Sequence, residues 1–131
     1  MNRHRVFANV TACVIVMVTS PALAGPIQPF STAALTTAQR AGKPILVDVH
    51  ADWCPTCRLQ APTIAEIAAD PAYARLVILK LDFDNQVAER NALGARQQST
   101  LIVYTGRREV GRATGIVDRN QIRALAASAQ R

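Results

Sequence analysis

From Ser31 onward, apolar and polar positions along the chain switch between helical and strand-like periods. Ser31 can cap a helix through "TAALTTAQRA" that stops at Gly42, with Pro44 beyond it. "PILVDVHA" is a near-continuous apolar run rich in β-branched residues and predicts a buried strand over 45–50. A helix follows from Cys54 to Ala69, with Ile64, Ile67 and Ala68 at helical spacing and Pro62 inside it as an expected kink. "ARLVILKLDF" is a second clear strand, and "NQVAERNALG" a short helix closed by Gly94. "TLIVYT" and "REVGRAT" read as a hairpin joined through Gly106. Asp118 caps a last helix, "RNQIRALAASAQ". The order α-β-α-β-α-β-β-α predicts an α/β fold in which a central mixed β-sheet is flanked by helices on both faces.

The N-terminal residues follow a different pattern. Met1 to Arg5 carries two arginines and no acid, Val6 to Thr19 is uncharged and mostly apolar, and Ala22 and Ala24 supply an A-x-A ending. This three-part layout predicts a signal peptide over 1–24, leaving one domain over 25–131 and a periplasmic or secreted protein. The apolar core is shorter than the ~20 residues that span a bilayer as a helix. If uncleaved, it would tether the domain to the membrane as an N-terminal anchor.

Charge changes the picture little. Without Arg3 and Arg5, fifteen basic residues become thirteen, against nine acids. They are scattered, and few aromatics accompany them, so no basic stripe or stacking platform for nucleic acid is present. Nothing reads as a coiled coil, and a monomer is expected. The cysteines are more informative. Cys13 would leave with the signal peptide, so the mature chain would keep only Cys54 and Cys57. That pair closes a loop too short to constrain the unfolded chain appreciably, which argues against a purely structural disulfide.

Cys54 stands where a strand ends and a helix begins, and the free N–H groups of that helix start favour a thiolate there. Cys57, one turn on, lies on the same side and can attack a mixed disulfide formed on Cys54. Cys54 is thus expected to be the exposed nucleophile and Cys57 the resolving thiol. Pro55 suits the first helical position, and Arg58 adds a cation nearby. Asp48 interrupts the apolar strand, and a buried carboxylate there would have a raised pKa suited to exchanging a proton with Cys57. Lys80, in the next strand, is its expected charge partner.

Taken whole, "ILVDVHADWCPTCRLQAPTIAEIA" resembles the active-site region of thioredoxin-like proteins. The aspartate before the cysteine pair, the tryptophan next to it and the proline five residues after it all match in order and spacing. "ILKLDFD" and "STLIVYTGRREVGRATG" extend the resemblance over roughly 43–127. It implies a thioredoxin-like fold and a thiol–disulfide oxidoreductase with Cys54 and Cys57 as its redox-active pair. Asp48 and Lys80 would handle protons, and Trp53, Pro55, Gln98, Ser99 and Thr100 would meet the substrate. Protein disulfides are the implied substrates, and no cofactor is needed because the cysteines carry the electrons.

One position departs from the family. Where a cis-proline normally precedes the "TL" of the penultimate strand, this chain has Ser99. A cis bond before a non-proline residue costs about 2.5–4 kcal/mol, so Gln98–Ser99 is expected to be trans. The serine also brings an N–H and a hydroxyl that could reach Cys54. Two other readings stay open: a copper-binding or delivery module using Cys54 and Cys57, with His50 as an optional further ligand, and a redox-inert binding domain of the same fold. Otherwise His50 is a strand-end histidine or a tuner of Cys54. Thr56, before the second cysteine, brings no positive charge to stabilise a thiolate, which favours a reducing role supplied by a membrane or periplasmic electron donor.

Overall fold

A computed structural model describes residues 26–131; the predicted signal peptide and Cys13 lie outside the described residues. Its elements are β1 (Gln28–Pro29), α1 (Thr32–Arg40), β2 (Pro44–His50), α2 (Pro55–Ala69), β3 (Val77–Asp82), α3 (Val87–Ala92), β4 (Thr100–Thr105), β5 (Arg108–Thr114) and α4 (Arg119–Ser128). The sheet order is β1-β3-β2-β4-β5. β3 runs parallel to both β1 and β2, whereas β2–β4 and β4–β5 are antiparallel, so the sheet is mixed as the element order predicts.

β2 is central, and all seven of its residues are buried. That is why its sequence reads as a continuous apolar run rather than an alternating one. Its side chains still divide by parity between two cores. Ile45, Val47 and Val49 join Leu79, Leu81, Ile102 and Tyr104 beneath Phe30, Leu35 and Ala38 of the α1 side. Leu46 joins Ile78, Leu101 and Val103 on the opposite face, covered by Ile64 and Ile67 of α2 and by Ile122 and Ala126 of α4. Asp48 and His50 share the parity of Leu46, which places both on the α2 face.

Helix starts follow the residues expected of them. The Ser31 hydroxyl accepts from the Ala34 N–H at 3.0 Å, and the Asp118 carboxylate accepts from the Gln121 N–H at 2.9 Å. α2 begins at Pro55, one residue later than expected, because Cys54 serves as its cap. The helix continues through Pro62, whose missing N–H leaves the Arg58 carbonyl without its usual partner. Both residues are exposed, so water can satisfy that carbonyl.

β1 and a single 3₁₀ turn over Pro71–Tyr73 were not foreseen. A two-residue edge strand is too short to show a period, and tertiary pairing with Leu79 and Lys80 creates it. α3 is trimmed to six residues, since Asp82 and Asn85 use the preceding stretch for a turn.

Gly111 lies where β5 passes under α4. A Cβ there would stand 2.8 Å from Leu125 Cδ1 and 3.0 Å from Val103 Cγ2. Gly111→Ala is therefore expected to destabilise the fold by about 1–3 kcal/mol through overpacking, read as a lower urea midpoint at an unchanged denaturant slope.

Candidate redox site

The site forms where the C-terminal end of β2 meets α2. After His50 the chain turns tightly, with the Cys54 N–H donating to the Ala51 carbonyl at 3.1 Å. Cys54 is extended, as a helix cap must be, and its Sγ accepts from the Cys57 N–H at 3.1 Å. The nucleophile candidate is thus built into the helix start, and the N–H that supports its sulfur belongs to the other cysteine. Both cysteines are free thiols. They pack with Ala51 and the partly buried Phe83, an apolar surround. The Arg90 guanidinium lies 4.0 Å over the Phe83 ring and holds it in place.

Cys54 is only 2% exposed, so the expectation of an exposed nucleophile is corrected. A cysteine whose sulfur caps its own helix turns toward the chain, and attack on a substrate has to begin by displacing its cover. Burial pushes the Cys57 thiol up to about 11. The hydrogen bond with Cys54 adds to the rise, while backbone contacts from Ala51 and Ser99 oppose it.

Asp48 is 4% exposed, and its Oδ1 has no hydrogen-bond partner. Burial raises its carboxyl above the usual range, opposed first by His50 and then by Lys80. Lys80, the charge partner that the sequence predicts, acts on this carboxyl through space without an ion pair. Lys80 is Asp48's register partner on β3, yet its side chain is exposed and forms no ion pair among the described residues. His50 stands closer, with Nδ1 4.0 Å from Asp48 Oδ2.

Ser99 lies beside the end of β2, because its N–H donates to the Val49 carbonyl at 2.8 Å. No peptide bond among the described residues is cis, so Gln98–Ser99 is trans. Ser99 instead adopts a φ of 55°, the described residues' only non-glycine with positive φ. Such a conformation costs about 1–2 kcal/mol for a residue with a Cβ. Its hydroxyl donates to the Gln98 carbonyl at 2.6 Å, not to Cys54, and its N–H is taken by Val49. The expected contact with the Cys54 sulfur is therefore absent.

What holds this turn is a residue that sequence reasoning passed over. Gln60 is fully buried, and its Nε2 donates to the Ser99 carbonyl at 3.1 Å and to the Ile116 carbonyl at 2.9 Å. It ties α2 to the turn at Ser99 and to the segment after β5. The signal was present in the sequence: Cys57, Gln60, Ile64 and Ile67 fall on one helical stripe, and an amide on such a stripe needs partners.

The remaining positions divide by exposure. Trp53 is 55% exposed, with its indole N–H donating to Asp84 Oδ2 at 2.8 Å, and Pro55 is exposed beside it. Gln98 is half-buried. Ser99 and Thr100 are buried, and the Thr100 hydroxyl bonds within its loop and to Thr114 Oγ1 at 2.8 Å. Trp53 and Pro55 can meet a docking chain directly; the side chains of Ser99 and Thr100 cannot in this conformation. No group of three or more His, Cys, Asp or Glu side chains among the described residues is placed to hold a metal ion, so His50 does not join Cys54 and Cys57 as a third ligand.

The family model for thioredoxin matches residues 30–128. The chain belongs to the thioredoxin family. It is 33% identical over 78 residues to a thioredoxin of Chlamydia muridarum, covering 60% of this chain and 74% of that one. To a thioredoxin of Alicyclobacillus acidocaldarius it is 34% identical over 82 residues, 63% of this chain and 77% of the relative. Among solved structures, Trxlp from Edwardsiella tarda superposes with a TM-score of 0.75 at 40% identity, covering 77% of this chain and 98% of that one. A thioredoxin mutant from Halobacterium salinarum, at 24% identity and a TM-score of 0.71, shares the fold. The chain is a thiol–disulfide oxidoreductase of thioredoxin fold.

Two outcomes follow from this geometry. Gln60→Glu turns a donor aimed at two carbonyls into a buried acceptor; a loss of about 3–5 kcal/mol at neutral pH is expected in urea unfolding. The Cys57 thiol, raised from 9.0 to about 11, makes the reduced fold lose stability as pH rises through that window, because the unfolded chain gives up its proton first. Urea unfolding across the window is expected to show this decline, and Cys57→Ala to remove its Cys57 component.

Proposed function

We propose that this chain is an exported oxidoreductase that reduces disulfides in other proteins. The observation that carries the direction is the surround of the cysteine pair. Ala51 and Phe83 are apolar, Thr56 brings no charge, and burial holds Cys57 as a thiol up to about pH 11. Surroundings that leave the Cys57 thiolate unstabilised give the reduced pair less support relative to the disulfide, which makes the dithiol the better electron donor. Export is supported by the leader-like pattern of residues 1–24.

The Cys54 thiolate attacks one sulfur of a substrate disulfide. That S–S bond breaks, the other substrate sulfur leaves as a thiolate, and a mixed disulfide remains on Cys54. Cys57 then loses its proton to the Asp48 carboxylate and attacks Cys54 Sγ. The mixed disulfide breaks, the second substrate thiolate leaves and is protonated, and the Cys54–Cys57 disulfide is left behind. Two electrons have passed to the substrate, and an external dithiol protein must restore them. The Cys57 N–H, 3.1 Å from Cys54 Sγ, supports negative charge on that sulfur at the attacking stage.

Equilibration of the purified chain with glutathione and dithiothreitol buffers tests the direction. A potential near the ~−270 mV of thioredoxin supports reduction, and one near the ~−120 mV of a strong oxidant overturns it. Replacing either cysteine separates the roles: Cys54→Ser is expected to abolish turnover, and Cys57→Ser to trap substrates as mixed disulfides visible on non-reducing gels. Asp48→Asn is expected to slow the resolving step by about 10²-fold at neutral pH. The same substitution is expected to raise thermal stability, since it removes a carboxylate buried without a full set of partners.

A further inference from the structure

Asp48 has to release any proton it takes, and it lies in a strand without an exposed residue. His50 offers the way out. Its Nε2 stands 3.2 Å from Asp52 Oδ1, while its Nδ1 faces Asp48 Oδ2 at 4.0 Å. A carboxylate only accepts, so the Asp52 contact places the ring proton on Nε2 and leaves the Nδ1 lone pair directed at Asp48. The Asp52 side chain is 98% exposed. His50 also lines a cavity of about 370 Å³ together with Asp52, Lys80, Asp82 and Asp84. A buried carboxylate, a nearly buried imidazole and a solvent-exposed carboxylate therefore stand in sequence from the interior to the surface.

We infer that His50 is a positioning residue that carries protons between Asp48 and solvent during turnover. This rests on the reading of Asp48 as the proton acceptor for Cys57. The transfer balances without any electron movement. The Asp48 carboxylic acid passes its proton to His50 Nδ1, and the imidazolium releases the Nε2 proton to Asp52 or to solvent in the cavity. Exchange with solvent then restores the starting tautomer. The 4.0 Å separation is too long for a hydrogen bond, and a side-chain movement of roughly 1 Å brings it to the usual ~2.9 Å. Other charged groups facing the ring come from β3 and its following loop: Asp82, the register partner of His50, then Lys80 and Asp84. Three carboxylates and one ammonium thus border the exit; Asp52 is the one in contact with the ring, while Asp82 already accepts from Asp84 and Asn85, and Asp84 from Trp53.

The first test is the tautomer, read from long-range ¹H–¹⁵N correlations of the His50 ring in the reduced chain. An Nε2–H ring that shifts toward Nδ1–H in Asp52→Asn is expected; an Nδ1–H ring in the wild type overturns the relay. The second is chemical rescue, with insulin as disulfide substrate and dithiothreitol as electron source. His50→Ala is expected to turn over about tenfold more slowly at neutral pH, with a changed pH profile, and to recover when free imidazole is added. Wild-type turnover in His50→Ala, or a loss that imidazole leaves untouched in a folded variant, overturns it. If His50→Ala does not fold, Asp52→Asn, altered only at an exposed side chain, tests the same step by its slower turnover. Absence of turnover in the wild type would instead defeat the oxidoreductase reading, while the ring spectrum would still decide the tautomer.

Discussion

Asp48 occupies the middle of a strand that neighbours enclose on both faces, and a carboxylate there can be tolerated only in a few ways. It can stay protonated, find a countercharge, or exchange its proton during a reaction. The surrounding structure bears on all three. Burial favours the neutral acid, His50 and Lys80 pull the other way, and one oxygen is left without a partner. The groups that accompany it follow from topology. β2 ends at His50, the chain turns through Ala51, and the helix that starts at Cys54 lies over the face that carries Asp48. Redox sulfur and buried acid are thereby delivered to one corner by a single stretch of chain.

The loop that carries Ser99 shows how the fold supports a serine at the position where the resemblance implies a proline. Proline would fix the backbone covalently and donate nothing. Serine leaves a trans bond, a left-handed turn and an extra N–H, each of which needs support. Val49 accepts that N–H, while Gln60 and Gly115 donate to the Ser99 carbonyl. The conformation is fixed by hydrogen bonds to α2, β2 and the segment after β5. A hydrogen-bond network that crosses the site supplies the rigidity that a proline ring would supply covalently.

The larger elements were legible because each had a sequence signal that no other reading explained. β2 showed as an apolar run, the helices by caps and by glycines at their ends, and the hairpin by two short strands about Gly106. The cysteine pair was legible through spacing and flanking residues. What could not be read were features made by partners distant in sequence. β1 exists only through β3, Ser99 takes its φ from a loop held at both ends, and Phe83 packs against the cluster of Ala51, Cys54 and Cys57. Lys80 was legible as a partner of Asp48 from its place in the neighbouring strand, whereas the nearer approach of His50 depends on side-chain reach that a sequence does not show. Gln60 and Asp52 were readable in principle, the one as a polar break in an apolar helix stripe and the other two residues beyond His50.

The indole of Trp53 has a further consequence. The chain contains one tryptophan, and it stands next to Cys54, tied by its N–H to Asp84 thirty-one residues away. Thiols and disulfides quench a neighbouring indole differently, and the tie to Asp84 limits how far the ring can turn. The protein therefore carries its own optical reporter, anchored beside its reactive end and undiluted by emission from any other indole. Oxidation state and docking can each be followed in the unlabelled molecule by the light it emits.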